Sequence, residues 1–155
     1  MQKKIIPIIG LLLLSSVVVS AYPVPDTGQT QSYTDTFGED SDYTCNPPTY
    51  TDLGNGIIQD NVTGLMWQQE TAPGTYTWDM AINYCDSLIL GGYSDWRLPT
   101  WIELQSIVNY DRGNPHIDTT YFPDTQASYY WSSTTYASYS GYAWYVSFYS
   151  GNVRY

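Results

Sequence analysis

The sequence predicts an α+β domain, and three observations predict it. Residues 50–68 read as short strands broken by turn signals. Apolar residues then recur at three- and four-residue spacing over 77–88 and 100–108, the period of two helices. Beyond Phe122-Pro123 the pattern returns to aromatic, β-favouring runs. Strands, two helices, then strands implies helices segregated onto antiparallel sheets rather than a parallel alternation.

The first 21 residues have the build of an export signal. Lys3 and Lys4 form a basic start, residues 5–19 are apolar, and Val19-Ser20-Ala21 is a small-residue cleavage site before Tyr22. Pro7, Gly10, Ser15 and Ser16 interrupt the apolar run, which is short for a spanning helix, so no membrane span is expected after cleavage. No cysteine follows the cleavage site, so lipid attachment is not expected. The mature chain is expected outside the cytoplasm: periplasmic, on the cell surface or secreted.

Cleavage removes both lysines and leaves Arg97, Arg112 and Arg154 against 15 carboxylates, a formal charge of 3 − 15 = −12. Three arginines cannot build a basic patch in such a field, so nucleic acid and other polyanions are excluded as partners. A lone His116 and the absence of CxxC spacing leave little for a metal or for acid–base chemistry, so no metal and no cofactor are expected. Cys45 and Cys85 are the two cysteines, and an oxidising compartment makes them a disulfide candidate.

Residues 22–49, rich in Pro, Thr, Gln, Asp and Gly without apolar periodicity, suit an extended polar leader. The domain proper, 50–155, starts with a hairpin signal at Leu53-Gly54-Asn55-Gly56 and a second turn across residues 61–64. Asp52, Asn55 and Asp60 lack the spacing of a calcium loop and read as turn residues. Thr77 caps a first helix with Trp78, Ala81, Ile82, Cys85 and Leu88 on its buried face, stopped by Gly91-Gly92. Thr100 and Glu103 form a capping box that opens a second helix, with Ile102, Leu104, Ile107 and Val108 as its apolar face. Strands follow at 130–134 and 143–149.

Between Tyr129 and Tyr155 eight residues are tyrosine, set among serine, glycine, alanine, threonine and tryptophan. Tyrosine gives a large amphipathic contact for two frozen torsions, and small polar residues give adaptable hydrogen bonds, so the tail reads either as a binding face or as a Tyr-rich amphipathic hairpin. In the alternation Trp144 to Tyr149, Trp144, Val146 and Phe148 are expected to face the core and Tyr145, Ser147 and Tyr149 to face outward.

The ordered motifs GLMWQ (64–68), GGYSDWRLPT (91–100) and YWSST (130–134), with Ala81-Ile82-Asn83-Tyr84-Cys85 and Glu103-Leu104, resemble the Lcl C-terminal domain family of bacterial collagen-like adhesins. The resemblance covers about residues 50–155. It implies a C-type-lectin-like fold, two helices packed on small antiparallel sheets, in an exported or surface-associated protein; the residues themselves offer no convincing catalytic group, so an enzyme is not expected. It also implies that genes of this kind are sometimes diversified by a retroelement that rewrites adenines in the 3′ end. Tyr136, Ser138, Tyr139, Ser140, Tyr142, Tyr145, Ser147, Tyr149 and Ser150 are residue types reachable that way from asparagine codons.

On this reading Tyr136, Ser138, Tyr139, Ser140, Tyr142, Tyr145, Ser147 and Tyr149 are the expected contacts for a protein or glycan ligand. The alternative is a structural envelope protein that uses the same face for self-association. Trp67, Trp96, Arg97, Glu103 and Trp131 are expected to be structural, with Arg97 in a hydrogen-bond network at the strand-to-helix corner rather than in a catalytic group with Asp95. A pocket uniting Asp95, Arg97 and His116 would be needed to support catalysis.

The glycosaminoglycan binding found among adhesins of the family does not carry over to so acidic a chain, and the calcium-lectin sugar signatures are absent. The resemblance further implies a closing strand with a cysteine that pairs with Cys85. Because the sequence stops at Tyr155, two alternatives stay open: Cys85 pairs with Cys45, or the domain is truncated and both thiols are free.

Overall fold

A computed structural model describes residues 23–139 and 141–155. The expected signal segment, with Tyr22, and Ser140 lie outside the described residues. The architecture is α+β, with two helices and two three-stranded antiparallel sheets.

The first sheet is β1 (Tyr50–Gly54), β2 (Ile57–Asp60) and β3 (Met66–Gln68) in that order. Its first turn is tight because Gly54, Asn55 and Gly56 all take positive φ, at 76°, 54° and 78°, as the Leu53-Gly54-Asn55-Gly56 signal requires. Asp60, only 1% exposed, organises the second turn: its carboxylate accepts the backbone N–H of Val62 and Thr63 and the Thr63 hydroxyl.

Helix α1 spans Trp78–Ser87, with Thr77 as its cap accepting from the Met80 N–H. It stops short of the expected Gly91-Gly92. The Ser87 hydroxyl donates to the carbonyls of Asn83 and Tyr84, competing with further helical bonds, and Leu88 is already extended. The two glycines instead make the tight turn of the Leu90–Tyr93 bridge. Of the expected buried face of α1, only Ala81 is fully buried, because that face looks onto a cavity.

Helix α2 is a short turn, Trp101–Gln105, opened by the expected capping box. Its expected apolar face is corrected at one position: Leu104, Ile107 and Val108 are buried, but Ile102 is 64% exposed. Two residues of helix turn through about 200°, so Ile102 points away from Leu104. Trp101, three residues before Leu104, takes the inward position against Trp144, with ring centroids 6.3 Å apart.

The second sheet is β4 (Tyr129–Thr135), β5 (Ala143–Ser147) and β6 (Val153–Arg154). Its inner residues Val146 and Phe148 meet Ile58 of the first sheet, Leu104, Ile107 and Val108, together with Ile117 and Phe122 from the loop before β4. The last two were not anticipated, since they lie outside any periodic segment.

The leader has no strand and is not a free stalk. The Tyr110 N–H donates to the Thr27 carbonyl, and the Thr30 hydroxyl donates to Asp111. Glu39 gathers the hydroxyl of Ser32 and the N–H groups of Tyr33 and Thr34, and these bonds, with the Ser32 bond foremost, hold its carboxyl below the usual range.

Candidate functional site

The tyrosines of the C-terminal third divide between two surfaces. The β4–β5 connection brings the Tyr142 carbonyl within 2.8 Å of the Tyr136 N–H, closing a tight loop whose next bonds run Tyr139 N–H to Tyr136 carbonyl and Tyr142 N–H to Tyr139 carbonyl. The loop sets the side chains in a chain of ring contacts. Tyr136 stacks on Tyr155 with centroids 4.0 Å apart and planes 4° from parallel; Tyr139 stacks on Tyr136 at 6.1 Å; Tyr142 meets Tyr139 edge-on at 6.1 Å. Trp144 supports the ladder from below, edge-on to both Tyr136 and Tyr155. The hydrogen bond that the Tyr155 phenol makes with the Tyr136 side chain favours its protonated form and is the main reason its pKa lies above the ordinary value.

Tyr139, Tyr142 and Tyr155 are 65%, 60% and 57% exposed. Three large rings are thus open to solvent while their ordering is already met by ring contacts within the ladder and with Trp144. Ser138 is exposed in the same loop.

Three expected contacts lie off the ladder. Ser147 is 2% exposed: its N–H donates to the Asn152 carbonyl, its carbonyl accepts from Gly151, and its hydroxyl accepts from Ser150, so it closes the turn into β6 instead of facing a ligand. Tyr145 is half-buried on the opposite side of β5 from Trp144, edge-on to Trp131 and Tyr129 at 5.9 and 5.2 Å. Tyr149 is exposed in the turn after β5, with no ring contact to the ladder among the described residues. Of the three residues expected outward, only Tyr149 is exposed.

Tyr145 lines the second surface, a cavity of about 700 Å³ between β3, α1 and β4. Trp67, Trp96, Trp131, Tyr76 and Tyr84 contribute rings to its wall. Indole N–H groups stitch the wall together: Trp131 donates to the Tyr76 carbonyl at 2.9 Å and Trp96 to the Leu90 carbonyl at 3.3 Å, while Trp78 of α1 reaches the Ser132 carbonyl at 2.8 Å. Arg97 donates to both oxygens of Glu103, at 2.8 and 2.9 Å, and to the Leu98 carbonyl.

The cavity takes in Asp95 and Arg97 but not His116, which sits against Tyr110 and donates its backbone N–H to Phe148. Among the described residues no group of three or more His, Cys, Asp or Glu converges as metal ligands. Cys45 is exposed and Cys85 half-buried, and both are free, so the candidate disulfide is not formed. Cys85 faces the cavity from α1, and burial raises its thiol pKa, keeping it protonated. Cys45 lies in the leader, tied through its N–H to Asp26.

No helix among the described residues is long and apolar enough to cross a membrane. The family described as the Lcl C-terminal domain matches residues 56–155, about two thirds of the chain. No curated protein and no solved structure matches it.

Proposed function

The chain belongs to the Lcl C-terminal domain family, and from that premise we propose that it is an exported, non-enzymatic binding domain of C-type-lectin-like fold that presents its tyrosine ladder to a protein or glycan ligand. The family is one of secreted or surface-associated domains. One observation carries the choice of face: Tyr136, Tyr139, Tyr142 and Tyr155 form a continuous series of ring contacts, and Tyr139, Tyr142 and Tyr155 are more than half exposed. An aromatic face of this kind gives affinity by ring contact and by hydroxyl hydrogen bonds. Diversification by a retroelement fits the exposed positions 138, 139, 142 and 149, whereas a change at the buried Ser147 would disturb the fold.

The test is to compare the full chain with its Tyr139→Ala/Tyr142→Ala variant on arrays of glycans and of extracellular proteins. Loss of a wild-type signal with the melting temperature retained supports the reading. Concentration-dependent oligomerisation that the same variant abolishes, without any array signal, replaces it with self-association.

A further inference from the structure

The cavity is separate from the ladder, and its wall combines many rings with a single cation, Arg97, that is held in an ion pair. Trp96 and Trp131 spend their indole N–H groups on backbone carbonyls, and the Trp67 N–H is occluded from solvent without a partner. The Tyr84 hydroxyl accepts from Gln68, and the Tyr76 hydroxyl donates to the Pro73 carbonyl. Hydroxyls of Tyr93, Tyr129 and Tyr145 also line the wall, so a sugar is the competing ligand that the methyl glycosides below test. An anion needs a cation, and Arg97, the cation of the wall, is held by both oxygens of Glu103.

The wall is rich in rings and in negative charge. Tyr145 stands perpendicular to Trp131, with planes at 87°, and at 74° to Tyr129, while Tyr76 and Tyr84 form another tilted pair with centroids 5.4 Å apart. Rings set at steep angles present faces in several directions around a concave space, the arrangement by which aromatic quadrupoles hold an alkylammonium group. Glu70 and Asp95 line the same cavity and are exposed, and the whole chain carries a net charge of −10, so its field draws cations in. The geometry points to a second site, in which the cavity walled by Trp131, Tyr145, Tyr76 and Tyr84 binds an organic cation of the quaternary ammonium class. At about 700 Å³ the space accommodates the cationic group with an apolar stem.

The experiment titrates the full chain with choline and tetramethylammonium, following tryptophan fluorescence, with 3,3-dimethylbutanol as the uncharged isostere of choline and methyl glycosides as sugar probes. The expected result is saturable binding of both cations, weaker at high salt, and at least about tenfold weaker binding of the isostere. Tyr145→Leu, which keeps apolar bulk but removes the ring, is expected to weaken choline about tenfold, and Tyr145→Phe to restore it. If Tyr145→Leu fails to fold, Tyr129→Leu at an exposed position removes a neighbouring ring and is expected to weaken choline severalfold. Tyr139→Ala/Tyr142→Ala is expected to leave choline binding unchanged, so failure of this site and failure of the ladder are separately visible. Equal affinity for the isostere, preference for a methyl glycoside, or no binding of either cation overturns the proposal.

Discussion

Arg97 and Glu103 form a forked ion pair in which one guanidinium nitrogen reaches both carboxylate oxygens, at 2.8 and 2.9 Å, and the same carboxylate accepts the Thr100 backbone N–H at 2.8 Å. One side chain thus caps α2 and anchors the corner before it. The pair is about one-fifth exposed, dry enough for the loss of either partner to strand a charge.

Glu103→Ala is therefore expected to cost about 2–4 kcal/mol, combining a lost cap with an uncompensated guanidinium. Arg97→Lys keeps the charge but loses the second nitrogen's bond to the Leu98 carbonyl, and is expected to cost less than Glu103→Ala. Urea denaturation of both variants measures the difference; values within about 0.5 kcal/mol of wild type would mean the pair is merely a surface contact.

Much of this corner was legible in advance. The Thr100/Glu103 box depends only on neighbours in sequence, and so do the Gly54–Gly56 turn and the Thr77 cap. The same local reasoning failed where geometry beyond the element decided the outcome. Ile102 was assigned inward by apolar type, although its angle around α2 opposes Leu104. Alternation puts Ser147 outward, but the turn from β5 to β6 closes over it through Ser150, Gly151 and Asn152. The division of the tyrosines into a ladder and a cavity wall depends on the β4–β5 loop and on α1 lying beside β4, neither of which has a signature in the spacing of aromatic residues. Phe122 and Ile117 entered the core from a segment with no period to announce them.

Tyr50 gives a pH prediction. Burial foremost, then the charges of Asp60 and Asp118, raise its phenol well above its ordinary value of 10. The folded state thus holds the proton more tightly than the unfolded chain. Stability from this group is complete below pH 10 and declines as pH rises toward the folded-state value, by up to about 1.4 kcal/mol per pH unit. Tyr50→Phe keeps the ring against Tyr121 and Phe122 and is expected to decline less between pH 10 and 11 than wild type. Parallel stability curves for the two proteins would exclude the effect.

Thiol labelling separates the cysteines. Cys45 is exposed and Cys85 is half-buried with a raised pKa, so iodoacetamide at neutral pH is expected to modify Cys45 much faster. Mass spectrometry after timed quenching reads the order. Recovery of a Cys45–Cys85 disulfide from the native protein would contradict the free-thiol arrangement.

Stability should also separate the two tyrosine surfaces from the core. Tyr139→Ala and Tyr142→Ala are each expected to cost less than about 1 kcal/mol, while Phe148→Ala, at 1% exposure, is expected to cost about 3–5 kcal/mol. Thermal melts of the three variants suffice. Similar losses at Tyr142 and Phe148 would make the ladder part of the core.

The central claim is that the ladder, and not the remainder of the Tyr-rich tail, is the recognition face. Its most direct measurement is the binding of wild type, Tyr139→Ala/Tyr142→Ala and Tyr149→Ala to the same arrays of glycans and extracellular proteins, with melting temperatures taken in parallel. Recognition by the ladder requires a wild-type ligand that Tyr149→Ala retains and the double variant loses at an unchanged melting temperature. Binding that survives in the double variant, or that disappears only together with the fold, would contradict it.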